Sequence, residues 1–258
     1  MNARYEAEAM NVGLVANASL KYGTGSMMTG ERVPFTIRLV RTEEELGKAV
    51  QIRHVAYGRH VPGLAELLRV PEPQDRERGS VILLAESKLD GSPVGTMRIH
   101  TNRYGKLPLE GSVALPGWLH GKSLIEATRL GVIDGRIGHV VKMMLIKACF
   151  KYCVQEDIDW MVIVSRSPLD RQYEAALFQD VFAPREFIPM RHVGNIPHRV
   201  MSFEVATAEA RWAAARHPLH DFICRTHHPD IDIGERDLDL ARVNVRLPMS
   251  FHADAIAA

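Results

Sequence analysis

Three cysteines in 258 residues are too few for a disulfide framework, and the odd count leaves one over. Cys149 and Cys153 sit four apart on one predicted helix among core-like neighbours. Buried free thiols are therefore expected rather than a disulfide or a metal site, as suits a reducing cytoplasm. Charge of one sign is also lacking: 32 lysines and arginines face 31 acids, a net charge of +1. No global field then draws the chain to nucleic acid or to a membrane surface. No apolar run approaches the ~20 residues of a membrane span. Met1 to Ala9 carries acids and no apolar h-region, so no secretory signal is expected and the location expected is cytoplasmic. There is no internal repeat. The histidines at 217, 220, 227 and 228, with Asp230, do not keep a helical i, i+4 spacing and are interrupted by two prolines, so no metal is expected there.

What is present is the pattern of one α/β domain with a single sizeable core. Residues 1–34 show no clear periodicity beyond a short helical stretch near Arg4 to Met10 and read as a partly ordered arm. Phe35 to Leu39 alternates as a half-buried strand. Thr42 with Glu45 is a capping box, opening a helix with Leu46, Val50, Arg53 and Tyr57 near one face. Residues 58–79, broken by Gly and Pro, read as a lid or binding loop. Val81–Glu86 and Val94–His100 flank Asp90-Gly91 as a hairpin, with Thr96, Arg98 and His100 on one face. Residues 101–121 form a long irregular excursion. Leu124 to Val132 is an apolar strand that nonetheless carries Glu126 and Arg129, an expensive placement unless the charges are paired or functional. Gly138–Glu156 is a helix with an apolar stripe through Val141, Met144, Leu145, Ala148 and Tyr152. Trp160–Val164 is a central strand reached by a right-handed crossover, and Pro168 starts a helix to about Phe178. Phe187–Met190 and Val200–Val205 are strands, and Ala206–Arg216 a helix. The domain proper is 35–205, and 206–258 is a C-terminal helix and tail packing on it.

This order resembles the Gcn5-related N-acetyltransferase (GNAT) architecture, whose mixed sheet, flanked by helices, splays open between strands four and five. Glu126-Ala-Thr-Arg129, Gly95-Thr-Met-Arg98, and Arg53 followed by Tyr57 occur in the order seen in two related families. These are the acyl-homoserine lactone synthases and the FeeM-type N-acyl amino acid synthases. The chain is more similar to the second, lacking the tryptophan and the arginine-leucine-leucine-proline run of the first. The resemblance covers about residues 35–205. It implies an acyltransferase that moves a long acyl chain from acyl carrier protein to the amine of an amino acid, with no bound cofactor; acyl-CoA is the alternative donor. The alternatives in function are a lactone synthase using S-adenosylmethionine and a non-catalytic acyl- or partner-binding module. Asp134-Gly-Arg-Ile-Gly138-His139 departs from the usual pyrophosphate loop, and Asp170 stands where the family often places a histidine.

N-acylation needs a neutral amine, and an α-amino group titrates near 8, so a base or a water relay is required. Glu126 is the candidate base or ammonium anchor. Arg129 accompanies it as a catalytic candidate, and Tyr173 lies where acetyltransferases often keep a thiolate-protonating tyrosine. Substrate binding is expected from Arg53, Arg98, Asp75 and Thr128, with Arg98 suited to a carboxylate. Arg53, on the buried side of its helix, needs a partner, Glu126 or Asp75. Arg136, His139 and Lys142, with Lys147 and Lys151, give the following helix a basic start and outer face for an acidic carrier protein. In a regular strand residues 126 and 129 point to opposite faces. They can serve one cleft only through a β-bulge near Ala127 to Leu130, whose freed N–H would then donate to the thioester oxygen.

Overall fold

The computed structural model describes residues 29–234. The helix expected at Arg4 to Met10 and the apolar stretch at Val243 to Phe251 lie outside the described residues. The long strands are β1 (Phe35–Leu39), β2 (Ser80–Ser87), β3 (Pro93–Thr101), β4 (Leu124–Val132) and β5 (Trp160–Ser165). After them come the short β6 (Gln179–Asp180) and β7 (Ile188–Met190), the long β8 (Ile196–Glu204) and the short β9 (Ile231–Asp232). Their order across the sheet is β9-β1-β2-β3-β4-β5-β8-β6, with β7 hydrogen-bonded to β8. The β4–β5 and β9–β1 pairs are parallel and the others antiparallel. β4 and β5 pair only from Leu124↔Trp160 to Glu126↔Val162, although both strands run on. That early end to the ladder is the expected splay between strands four and five, and it starts at Glu126.

Two helices cover opposite faces. α1 (Glu43–Gly58) begins at Thr42, whose hydroxyl accepts from Glu45 N while the Glu45 carboxylate accepts from Thr42 N. It buries Leu46, Ala49 and Val50 on Ile82 and Leu84 of β2. α3 (Gly135–Gln155) lays Val141, Met144, Leu145 and Ala148 on the other face, against Leu83, Met97, Ile99 and Ile125. Gly95 allows this approach: a Cβ there would stand 2.4 Å from Val141 Cγ1. α3 starts earlier than periodicity indicated, because Asp134 accepts from Gly135 N at 2.8 Å and caps it. Cys149 and Cys153 are buried free thiols on this helix.

On the face that α1 covers only in part, the 101–121 excursion supplies a second cover. Its two 3₁₀ turns (Pro108–Gly111 and Gly117–Leu119) bury Leu107, Leu109 and Leu119 on Leu124, Val162 and Val200. The loop after α1 carries a short helix, α2 (Pro62–Leu67), and a 3₁₀ turn at Pro73–Asp75. Pro168 does not open a helix; α4 is Asp170–Ala175, two residues later. Asp170 is tied by Arg199 Nη1 at 2.9 Å, so its carboxylate anchors α4 to β8. α5 is Ala208–Ala214. Beyond it β9 extends the sheet beside β1, and Thr29–Gly30 pairs with Thr226–His227. No helix among the described residues is long and apolar enough to cross a membrane.

Candidate functional site

β4 contains the bulge. Thr96 on β3 pairs with Gly131, while Arg98, two residues on, pairs with Thr128, three residues back. The extra residue puts Arg129 at φ +53°, a left-handed conformation rare outside glycine. Ala127 and Leu130 consequently both pack in the core under α3. The Glu126 and Arg129 side chains both converge on His192, which follows β7.

Arg129 is fixed by Glu72, which accepts from its Nε at 2.7 Å and its Nη2 at 2.6 Å. Arg53 donates to both oxygens of Asp75 at 2.9 and 3.0 Å. Arg98 Nη1 bridges Glu72 and Asp75 at 3.0 and 2.9 Å, and its Nε reaches Thr128 Oγ1 at 3.3 Å. Arg53, Arg98, Asp75, Thr128 and Arg129 thus form one buried cluster, completed by Glu72, which the sequence did not single out. Of the two partners proposed for Arg53 it is Asp75, not Glu126, that binds it. Arg98 is buried rather than solvated, and its Nη1 is occupied by these acids. Burial raises the Glu72 and Asp75 carboxyls, but the guanidiniums outweigh it and hold both below their ordinary values. Burial lowers Arg98, with Arg129 and Arg53 adding to that against the pull of the acids.

The cluster holds three guanidiniums against two carboxylates, and His192 links it to a further carboxylate, that of Glu126. Its side chain is 0% exposed. Oε2 accepts from Leu109 N at 2.8 Å, so the excursion positions it from above. Oε1 stands 3.2 Å from His192 Nε2, whose side chain is 16% exposed. Around this contact, Glu126 Oε1, both His192 nitrogens, Arg129 Nη1 and His100 Nε2 are buried without a hydrogen-bond partner. His100 sits opposite Glu126 in the ladder, with Nδ1 at 2.8 Å from Ser80 Oγ. Burial, then the Arg98 and Arg129 charges, push its imidazole down to about 3, so it is neutral at pH 7. Unpartnered buried polar atoms are costly, at roughly 1–3 kcal/mol each, and rare in folded proteins. Several of them are gathered here, beside the splay. His100 also floors a cleft of about 270 Å³ on the same face, rimmed by Arg78, Tyr104 and Lys106.

The other expected residues lie apart. Tyr173 packs edge-on to Phe178, and burial pushes its phenol up to about 12. Arg136 and His139 are exposed at the start of α3. Lys142 is half-buried and donates to Gln172, and burial lowers its pKa. Lys147 does not belong to a basic outer face: it is buried, with Nζ donating to the Phe222 and Thr226 carbonyls and lying 2.9 Å from His228 Nδ1. Gly138 is a position where a Cβ would fall 1.8 Å from the Ile133 carbonyl oxygen, so only glycine lets the chain enter α3 this way. Neither Glu72 nor His192 sits in a periodic segment. The only sequence sign of Glu72 is its place between Pro71 and Pro73, three before Asp75.

No protein-family model matches the chain, and no curated protein matches its sequence. Among solved structures it is similar to FeeM, an N-acyl amino acid synthase from uncultured soil microbes. The TM-score is 0.55 at 18% identity, covering 70% of this chain and 96% of that one. It is also similar to BjaI, a CoA-dependent acyl-homoserine lactone synthase solved with MTA. That match has a TM-score of 0.53 at 17% identity, covering 82% of this chain and all of the other, 100%. At these identities the likeness is one of fold: the chain has the GNAT-like acyltransferase fold of which both are examples.

Proposed function

We propose that the protein is an N-acyltransferase that moves a long acyl chain from an acyl carrier protein thioester to the amine of an amino acid or a similar acceptor. The observation that carries this reading is the group of unpartnered buried polar atoms at the splay. It offers Glu126 Oε1 and His192 to an ammonium, and the free Arg129 Nη1 to a thioester carbonyl oxygen. N-acylation needs such acceptors at the nitrogen and a donor at the developing oxyanion. Because Arg98 is neutralised by Glu72 and Asp75, we place the acceptor's carboxylate at Arg78 and Lys106 on the neighbouring cleft. Arg53, Arg98, Asp75 and Thr128 then support the site from beneath. Tyr173, kept protonated by burial, is the proposed proton source for the departing thiolate.

Asp134 favours a carrier protein over CoA as donor. Its carboxylate occupies the first amide of α3, where a pyrophosphate would bind. Arg136 and His139, with the exposed Ile137 and Val140 between and beside them, offer a mixed basic and apolar rim to an acidic partner. Lys142, held by Gln172, borders that rim.

The test is to incubate the protein with acyl carrier protein thioesters of several chain lengths and a panel of amino acids and their decarboxylated amines. Release of free thiol and appearance of an acylated product are read by mass spectrometry. Amide product, with amino acids preferred over their decarboxylated counterparts, supports the reading. Lactone formed from S-adenosylmethionine replaces it with a lactone synthase, and no turnover with any pair replaces it with a binding module. Glu126→Gln keeps an acceptor for Leu109 N and is expected to lose at least a hundredfold in turnover with an unchanged circular dichroism spectrum. Full activity in that variant removes Glu126 from the mechanism.

A further inference from the structure

Glu126 is a poor terminal proton acceptor where it stands. It is wholly enclosed, one oxygen is committed to Leu109 N, and the other faces His192. A proton delivered to it has no path to bulk water through its own surface. His192, in contact with it and with both ring nitrogens buried and unpartnered, is the next group a proton can reach. Its turn is held in place: the His192 carbonyl accepts from Arg129 Nη2 at 3.1 Å, and Arg191 N donates to Ser112 Oγ at 2.9 Å. The imidazole is thus placed by its backbone, with neither ring nitrogen committed to a hydrogen bond. With the Nε2 proton shared with Glu126 Oε1 at 3.2 Å, Nδ1 is left as the base. This is the carboxylate–imidazole arrangement that orients and strengthens a histidine in other enzymes.

From this geometry, and resting on the acyl-transfer reading, we infer that His192 is the general base and Glu126 its positioning residue. The acceptor's ammonium gives one proton to His192. The neutral nitrogen forms its bond to the thioester carbon, the carbon–sulfur bond breaks with its electron pair on sulfur, the thiolate takes the Tyr173 proton, and the second nitrogen proton restores the phenol. His192 returns to its neutral form once product has left. The titratable and charged groups facing the ring are Glu126 and Arg129 on β4, His100 on β3 and His198 on β8. Glu110 in the facing excursion is turned away, accepting from Leu107 N.

His192→Gln is expected to lower kcat by about 10²–10⁴, to leave KM for both substrates within about threefold, and to remove the lower limb of the kcat–pH profile. Exogenous imidazole should restore part of the rate in His192→Ala. Retained kcat with an intact pH limb overturns the inference while the acyl-transfer reading, resting on wild-type turnover, stands. Should the wild type show no turnover, that reading falls, and the pair is judged by nuclear magnetic resonance. The His192 ring titration must move to lower pH in Glu126→Gln, and an unmoved titration overturns the coupling.

Discussion

Glu72 shows how one side chain organises the site. It accepts from Arg129 at two positions, from Arg98 and, at 3.5 Å, from Arg53. It is thus the contact that holds a left-handed Arg129 in its bulge. Removing one partner from a buried charge network leaves the others uncompensated, which typically destabilises by about 3–5 kcal/mol. Glu72→Gln is therefore expected to lower unfolding free energy by roughly that amount in a denaturant titration, and a loss under about 1 kcal/mol would mean that Asp75 alone satisfies the arginines. The residues around Glu72 were legible in the sequence for a physical reason. Glu126 and Arg129 stand out because an apolar strand does not keep charges idly, and the parity of the strand required the bulge. Arg53 stood out because it lies on a buried helix face. Glu72 and His192 sit in irregular segments where no period separates inward from outward, so the direction of their side chains is set only once the loops are placed.

At the scale of elements, the C-terminal segment is locked to the domain by aromatic packing. Trp212 on α5 stacks on Phe203 of β8 with centroids 5.0 Å apart and also meets Phe150 of α3. Phe203 continues the ladder to Phe178 and from there to Tyr173, so α5 and the Tyr173 turn share one packed row. The Trp212 indole N–H donates to the Ala176 carbonyl at 3.2 Å. Trp212→Ala is expected to destabilise by about 3–5 kcal/mol, with Trp212→Phe costing less. If the alanine variant melts like the wild type, α5 is an ornament rather than part of the core. Long elements with many repeats of one period, such as β1, α3 and β5, were readable from the sequence alone. β6 and β9 were not, because two residues cannot display a period. The α4 start was missed because Pro168 fits a turn as well as a first helical turn.

For the molecule as a whole, buried imidazoles set the acid side of stability: burial lowers His198, and it moves His100 and His228 furthest. His100 is pushed down to about 3 by burial and the neighbouring arginines, and His228 to about 4 by burial and the Lys147 charge. Both stand near 6.5 in the unfolded chain. Between those values the unfolded state binds more protons, so stability falls as pH drops below 6.5 and levels off below the folded pKa values. Each contributes a slope of about 1.4 kcal/mol per pH unit, so at pH 5 the two together remove roughly 4 kcal/mol. Glu72 and Asp75 act in a separate, lower window. Their folded pKa values are depressed, so their stabilisation is complete above the unfolded carboxylate values near 4 and is lost only as pH falls through the folded ones. Unfolding free energies measured at intervals between pH 6 and 4.5 should therefore decline with a slope of about two protons or slightly more. His100→Gln, which can still bond Ser80, should remove about one proton from that slope without changing the loss below pH 4. An unaltered slope in this variant would show that His100 titrates freely in the folded protein, and that the surroundings of Glu126 are wetter than their closed geometry implies.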